Sequence, residues 1–414
     1  MGHDRFSRYM ISGLALFAVL AMLVNAAWAG AITTEVAYSF AGDEDGEYPA
    51  TDLVRDGEGN LYGTTVQGGD FGGGTVFQLS PSGVHTVLYN FAGGADGGQP
   101  YGGVTLDSQG DLYGAAVIGG TGGSCVEDGC GVIYKLTNSG GTWTQTVIHN
   151  FTGGKDGYGP GAGLTLDEQG NLYGMTPTGG AYGLGVIYQL RPDQGGGWRL
   201  SVIHTFTGGL DGGTASAGRL LLDHAGNLFG VATVFGANGK GTAFKLTRRP
   251  NGTWKMTTIY AFKGYPDAGL PYGALISDDS GNLFGTTYYE GANNLGTVYQ
   301  LSFRNGTWKE KVLYSFRGGT DGASPISNLV FDQAGNLYGT TSEGGAPGCS
   351  CGTIFKLTPG QHGNWTETVA HAFTNAPDGA FPYNGMVADQ SGNFFGTTVH
   401  GGDDGEGAIY EFTP

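Results

Sequence analysis

The sequence predicts an all-β protein folded as a seven-bladed β-propeller with four antiparallel strands per blade. A string close to GNLYGTT occurs seven times, at intervals of 51 to 60 residues. Each interval contains four short runs typical of β-strands, separated by glycine-rich segments. Repeats of this length with four short strands are typical of propeller blades. The strings begin at Gly59, Gly110, Gly170, Gly226, Gly281, Gly335 and Gly392.

Each string is predicted to form the tip of a β-hairpin. In the first unit Asp56 stands three residues before Gly59, and the same spacing occurs in all seven units. An Asp that opens a turn and a Gly in the left-handed region are typical of hairpin connections. The second glycine of the string, Gly63, falls inside a strand, where a missing side chain allows a neighbour to approach closely.

The chain is expected to close on itself as a ring. By analogy with propellers built from similar units, the strand before the hairpin Asp is the innermost one. The chain then begins with an outermost strand at residues 36–40 and ends with a third strand at residues 408–412. We predict that the N-terminal strand completes the seventh blade, because both chain ends would otherwise leave open sheet edges.

The N-terminus has the features of a cleaved signal peptide. Arg5 and Arg8 precede an apolar run over residues 11–24, and Ala27 and Ala29 form an A-x-A cleavage site. We expect residues 1–29 to be removed and residues 30–414 to form a single propeller domain, periplasmic or extracellular. No membrane insertion is expected after cleavage; an uncleaved N-terminal anchor is the alternative.

The chain is acidic, with 36 Asp and Glu against 19 Lys and Arg and a formal net charge of −17. A surface of this sign repels phosphate backbones and anionic lipid headgroups, so we expect no nucleic-acid partner and no binding to membrane surfaces. The charge is compatible with divalent cations and neutral ligands. We expect the protein to be a monomer.

Four cysteines occur as two local pairs, Cys125 with Cys130 and Cys349 with Cys351. In an exported chain we expect each pair to form a disulfide. The C-x-C pair is the less favourable of the two because so short a loop strains the bridge. A zinc site is the alternative, but neither spacing matches a zinc knuckle and no histidine stands beside either pair.

Candidate ligand-binding residues fall at the predicted mouth of the central channel. Tyr101, Tyr272 and Tyr383 directly follow a proline that begins an innermost strand. Aromatic faces with nearby carboxylates and amides suit sugars, because rings stack on C–H surfaces and polar tips bind hydroxyls. The alternative is that these tyrosines only cover the strand ends.

A second set of candidates lies four residues before the hairpin Asp. Small residues dominate this position, and Asp52, Arg219 and Asn328 depart from the pattern. Positions that break a local rule point to function. The alternative is that the three are solvated channel residues.

An acidic cluster is a candidate calcium site. Asp43 and Asp45 follow the first strand, and Asp403 and Asp404 lie in a loop of the last blade, so ring closure places both segments on blade seven. Hard carboxylate oxygens from two loops can hold calcium. The alternative is two separate solvated loops, and no other cofactor is indicated.

The repeat resembles a known family. Units of the form Y-x-F-x-G-G-x-D-G-x-x-P, L-x-x-D-x-x-G-N-L-Y-G-T-T and G-G-x-x-x-x-G-T-V-F-x-L are similar to the Gloeo-Verruco (GloVer) tandem repeat of exported bacterial proteins. The resemblance covers about residues 36–412 and implies no established activity.

Three functional hypotheses follow. The leading one is a non-catalytic extracytoplasmic module that binds a carbohydrate or cell-surface polymer. The first alternative is a polysaccharide hydrolase or lyase that uses channel-mouth carboxylates. The second is a structural or adhesive scaffold whose partner is a surface protein. An enzyme is not favoured, because the sequence has neither the H-E-x-x-H pattern of zinc proteases nor a P-loop.

Overall fold

The computed structural model describes residues 32–125, 128–215 and 218–414. The predicted signal peptide, residues 1–29, lies outside the described residues. Within them the chain is built of β-strands, with three single-turn 3₁₀ segments at Asp43–Asp45, Gly319–Asp321 and Gln361–Gly363 and no α-helix. Among these residues there is no long apolar helix that could cross a membrane.

Seven sheets form the blades, and they are numbered here by the order of their GNLYG strings. In each blade the strand before the hairpin Asp is the innermost one. The first blade contains β2 (Val54–Arg55), β3 (Leu61–Thr65), β4 (Thr75–Leu79) and β5 (His85–Asn90). The second contains β6 (Val104–Leu106), β7 (Leu112–Ala116), β8 (Val132–Ser139) and β9 (Thr142–Asn150). The third contains β10 (Thr165–Leu166), β11 (Leu172–Thr176), β12 (Val186–Pro192) and β13 (Trp198–Thr205).

Blades four and five each gain a short fifth strand from the loop that enters the blade, which the sequence did not predict. The fourth contains β14 (Gly213–Ala215), β15 (Leu221–Leu222), β16 (Leu228–Val234), β17 (Thr242–Arg248) and β18 (Trp254–Ala261). The fifth contains β19 (Ala268–Pro271), β20 (Ile276–Ser277), β21 (Leu283–Glu290), β22 (Thr297–Arg304) and β23 (Thr307–Ser315). The added strands are β14 and β19, which pair with the lengthened second strands β16 and β21.

Blades six and seven complete the ring. The sixth contains β24 (Val330–Phe331), β25 (Leu337–Thr341), β26 (Thr353–Pro359) and β27 (Trp365–Ala372). The seventh contains β28 (Val387–Ala388), β29 (Phe394–Thr398) and β30 (Ala408–Thr413). Its outermost strand is β1 (Thr33–Ser39), which pairs antiparallel with β30 from Thr33 opposite Thr413 to Ser39 opposite Ala408. The predicted seven-bladed fold and its closure by the N-terminal strand are confirmed.

The hairpin after the innermost strand is held by its aspartate. Asp56 accepts backbone N–H bonds from Glu58 and Asn60 through Oδ1, at 2.9 Å each. Its Oδ2 accepts from Asn60 Nδ2 at 2.8 Å and from the Tyr62 hydroxyl at 3.1 Å. Burial raises the pKa of Asp56, but the bonds from Asn60 and Tyr62 outweigh burial and bring the pKa below its usual value. The turn residue Gly59 has φ +94°, which favours glycine.

The hydrophobic core lies between neighbouring blades. The outer strand of every blade ends in or is followed by a buried phenylalanine, such as Phe40, whose ring packs edge-on against Phe77 of the next blade at 5.3 Å. Phe77 in turn fills the space left by Gly63, since a Cβ there would lie 2.6 Å from Phe77 Cζ. The repeated glycine inside the strand is therefore a packing notch for the aromatic ring of the neighbouring strand.

Candidate functional site

Two classes of loop share one face of the ring. The loop that enters a blade and the loop after its second strand are joined by antiparallel bridges in five blades. Strands β14 and β19 make the corresponding contact in the other two. The bridges are Glu47 with Gln67, Gly98 with Ile118, Tyr158 with Thr178, Ala323 with Glu343 and Ala380 with His400.

A cavity of about 420 Å³ opens on this face, where the innermost strands of the blades begin. Five of the six predicted ligand-binding residues line it: Tyr101, Tyr272, Tyr383, Asp52 and Asn328. The three tyrosines come from blades two, five and seven and keep 36–46% of their surface exposed. Side chains separated by up to 331 positions in sequence thus surround one space.

The structure adds residues to this lining that sequence reasoning did not select as site residues. Tyr288 packs beside Tyr272 with ring centroids 6.2 Å apart, and beside Tyr289 at 4.1 Å. A hydrogen bond with Tyr289, together with burial, raises the pKa of Tyr288 to about 12. Burial and the nearby Tyr383 also raise the pKa of Tyr272. Both hydroxyls therefore stay protonated at neutral pH and can donate to a ligand.

Asn384 and Glu343 also line the cavity. The side-chain Nδ2 of Asn384 is buried and has no hydrogen-bond partner among the described residues. A buried donor left unpaired costs free energy, and a small rotation of the amide toward the cavity would let an acceptor atom of a ligand satisfy it. Asn384 and Tyr383 follow the same proline. Tyr383 was predicted as a site residue because it is aromatic, and Asn384 has no such feature in the sequence.

The floor of the cavity is a hydrogen-bonded network that links several blades. Asn328 Nδ2 of blade six donates to Asp52 Oδ2 of blade one at 2.6 Å. The backbone N–H of Gly385 donates to Asp52 Oδ1 at 3.1 Å, and that of Ala274 donates to Asn328 Oδ1 at 2.6 Å. Both carboxylate oxygens of Asp52 are therefore engaged.

Arg219, the sixth predicted residue, lies on the far side of this floor. Its Nη2 is 3.8 Å from Asp52 Oδ2, and it lines a second cavity of about 360 Å³ together with Leu53 and Met386. Asp52 and Asn328 line both cavities. The three residues that break the small-residue pattern thus meet across the channel and separate its two parts.

Two of the four candidate calcium residues, Asp45 and Asp403, make hydrogen bonds within the chain. Asp45 Oδ2 accepts from the Tyr38 hydroxyl at 2.7 Å and from the backbone N–H of Ala41 at 3.0 Å. The same hydrogen bond from a tyrosine hydroxyl to an aspartate recurs in other blades, for example from Tyr89 to Asp96 at 3.1 Å. Asp45 therefore occupies a structural turn position. The backbone N–H of Asp403 donates to Ser39 Oγ at 2.8 Å.

Across residues 32–125, 128–215 and 218–414, no three His, Cys, Asp or Glu side chains gather as a metal site would require. The calcium site at Asp43, Asp45, Asp403 and Asp404 therefore stays a prediction.

Both cysteine pairs form disulfides, as predicted. Cys125 is bonded to Cys130 and Cys349 to Cys351, with Cα atoms 5.3 and 5.2 Å apart. The second bridge encloses Ser350 in the string G-C-S-C-G, which has the spacing of a hydrolase nucleophile elbow. That elbow joins a strand to a helix, whereas Ser350 lies in a loop and its Oγ accepts a bond from the backbone N–H of Gly344 at 2.9 Å.

Several solved structures match the chain at low sequence identity. The extracellular domain of a candidate one-component system from B. thetaiotaomicron is 13% identical with a TM-score of 0.54, over 92% of this chain and 40% of that one. A protein from Lactobacillus plantarum is 15% identical with a TM-score of 0.52, over 86% and 99%. A candidate gluconolactonase is 16% identical with a TM-score of 0.40, over 84% and 95%. The two matches with TM-scores above 0.5 support the fold alone.

No curated protein matches the chain. The model of the Gloeobacter/Verrucomicrobia repeat does match, over residues 23–126, 121–346 and 221–414, which together include all seven blades. The resemblance drawn from the repeated motifs is confirmed, and the chain belongs to the Gloeobacter/Verrucomicrobia repeat family.

Proposed function

We propose that the protein is a non-catalytic extracytoplasmic binding module whose axial cavity takes a carbohydrate or cell-surface polymer. The observation that carries this proposal is the set of four tyrosines around one cavity of about 420 Å³. They are Tyr101, Tyr272, Tyr288 and Tyr383.

The polar groups of the cavity complement these rings. A sugar presents C–H faces that stack on aromatic rings and hydroxyls that both donate and accept hydrogen bonds. Asn384 carries an unpaired donor beside the cavity, and the exposed side chain of Glu343 offers acceptors. The tyrosine hydroxyls can serve in either role. The cavity therefore has groups for both parts of a sugar ring.

The geometry of Asp52 favours binding over hydrolysis. A glycoside hydrolase needs two carboxyl groups about 5–10 Å apart on either side of the bond to be broken. Asp52 has one oxygen bonded to Asn328 and the other to Gly385, so it serves to hold the floor. Among the described lining residues, Glu343 is then the remaining carboxylate.

The disulfides support an exported location. Such bonds form and persist in the periplasm and outside the cell, where cell-surface polymers are also found. The A-x-A site ending at Ala29 supports the same location.

Retention on insoluble polysaccharides tests the proposal. Residues 30–414 would be mixed with cellulose, chitin, xylan and β-1,3-glucan, and bound protein and new reducing or unsaturated ends would both be measured. We expect retention without new ends. Tyr101→Ala with Tyr272→Ala should abolish retention and leave Tm nearly unchanged.

Tyr182→Ala is the matched control, because Tyr182 is 63% exposed and does not line the cavity. New chain ends would instead favour the hydrolase or lyase, with Glu343 as the first residue to test. Neither retention nor new ends on any of the four polymers would contradict the proposal and favour a protein partner.

A further inference from the structure

Side chains from blades one, four and six meet at the inner end of the axial cavity, since Asp52 contacts both Asn328 and Arg219. We call the cavity of about 420 Å³ on the loop face the upper cavity and the second one, of about 360 Å³, the lower cavity. Within blade one, Ala50 lines the upper cavity, Leu53 lines the lower cavity, and Asp52 between them lines both. Asn328 holds the same intermediate level in blade six. The bond between Asp52 and Asn328 therefore lies at the boundary between the two cavities.

We infer that this cavity binds the end of a glycan chain rather than its interior; the inference rests on the binding function proposed above. A polymer that enters from the loop face meets the Asp52–Asn328 floor and cannot continue along the axis. A volume of about 420 Å³ is small for ligand pockets, which span about 300–1,000 Å³. It has room for the end of a chain and not for a long segment of it.

The walls support an end-on geometry. Tyr101, Tyr272 and Tyr383 come from blades on different sides of the axis, so their rings surround a ligand rather than form a flat row. A platform for the interior of a chain needs successive rings along one line, as in sites that stack consecutive units of a polymer. A ring of side chains around a closed floor instead encloses one unit.

The floor itself offers few free groups. Asp52 and Asn328 satisfy each other and the backbone N–H groups of Gly385 and Ala274. The unpaired donor of Asn384 belongs to the wall. The terminal hydroxyls of a sugar would thus form hydrogen bonds with Asn384 and the tyrosine hydroxyls. The floor would limit how deeply the terminal unit enters.

Binding stoichiometry and chain-length dependence test this inference without any variant. Residues 30–414 would be titrated calorimetrically with the disaccharide, the hexasaccharide and a long soluble chain of cellulose, chitin, xylan and β-1,3-glucan. End binding predicts one protein per chain end of one polarity at every length. It also predicts molar Kd values for the disaccharide and hexasaccharide within about threefold of each other.

A variant of the floor provides a second test. Asn328→Ala removes the side chain that bridges blade six to Asp52 and so opens the floor, and we expect the affinity to increase with chain length in this variant. Arg55→Ala is the control, because Arg55 lines only the lower cavity, and it should behave as the unmodified protein.

Several proteins per long chain, with affinity that rises with length in the unmodified protein, would overturn end binding and leave the proposed carbohydrate function intact. No heat with any of the sugars, and no retention on the insoluble polymers, would overturn both.

Discussion

Glu367, on the outer strand of blade six, faces Asp321, in the turn that follows the outer strand of blade five. Burial and the charge of Asp321 raise the pKa of Glu367 to about 7, while Tyr314 and Arg317 act in the opposite direction. The Tyr314 hydroxyl donates to Asp321 Oδ1 at 2.5 Å. Two carboxyl groups thus meet at the junction between two blades, and one of them keeps its proton close to neutral pH.

This pair makes the stability of the junction depend on pH. The pKa of Glu367 is higher in the folded chain than in the unfolded one, so its contribution is fully present below about pH 4 and is lost as the pH rises through 7. Glu367→Gln should leave Tm unchanged near pH 4 and raise the free energy of unfolding by about 1 kcal/mol at pH 8. Thermal unfolding from pH 4 to 8.5 measures the difference, and the exposed Glu168→Gln is the control. A gain that is equal at all pH values would exclude proton uptake as its cause.

The pair of Lys240 and Glu290 should contribute measurably to stability. Lys240 Nζ lies 2.6 Å from Glu290 Oε1, and the side chain of Glu290 is 8% exposed. Its other oxygen accepts the backbone N–H of Tyr265 at 2.7 Å. Lys240→Met should cost about 2 kcal/mol in urea unfolding, because a buried carboxylate loses its partner.

An exposed ion pair provides the comparison for that experiment. Lys263 and Asp267 are 3.8 Å apart with side chains 64% and 45% exposed, so Lys263→Met should cost about 0.5 kcal/mol or less. Adding Glu290→Gln to Lys240→Met should recover part of the loss. An equal loss of unfolding free energy in Lys240→Met and Lys263→Met would show that the burial of Glu290 does not cause the loss in Lys240→Met.

The packing notch predicts opposite outcomes for two glycines of one hairpin. A Cβ at Gly63 would lie 2.6 Å from Phe77 Cζ and 2.8 Å from Leu53 Cδ2, whereas one at Gly57 would meet nothing within 4 Å. Gly63→Ala should destabilise the fold by about 1–3 kcal/mol through overpacking. Gly57→Ala should be neutral within about 0.5 kcal/mol. Comparable midpoints for the two variants in urea would refute the notch.

The closing strands carry like charges opposite each other. Glu35 of β1 pairs in register with Glu411 of β30, and burial together with the charges of Asp389 and Glu35 raises the pKa of Glu411. Glu35→Lys should increase stability by about 0.5 kcal/mol at pH 7 and low salt, because it replaces a like-charge pair with an opposite-charge pair. The gain should shrink in 1 M NaCl. A gain that persists in high salt would have a different origin from charge.

The repeated features were predictable because each depends on local chemistry. Asp56 and Gly59 form their hairpin with residues close in sequence, and seven copies of that hairpin imply seven blades. The closing strand followed from the order of strands within a unit. These parts of the fold can be predicted without knowing the angle between neighbouring blades.

The floor of the cavity could be predicted only as a set of unusual positions. Asp52 and Asn328 are separated by 276 residues, and their contact depends on the tilt and spacing of blades one and six around the axis. Tyr288 and Asn384 were missed as site residues for the same reason, since no local pattern shows which loop residues turn toward the axis. The fifth strands of blades four and five depend on loop pairing that the repeat does not encode.

The pairing of β1 with β30 has a consequence for how the chain is made. Strand β1 is synthesised long before β30 and finds its partner only when residues 408–413 have been made. Until then the strand Thr33–Ser39 has no partner strand, and Phe40, which is buried in the folded protein, lacks the complete seventh blade against which it packs. A chain that stops after residue 404 would therefore lack β30 and form a ring that cannot close, with two unpaired strand edges available for aggregation.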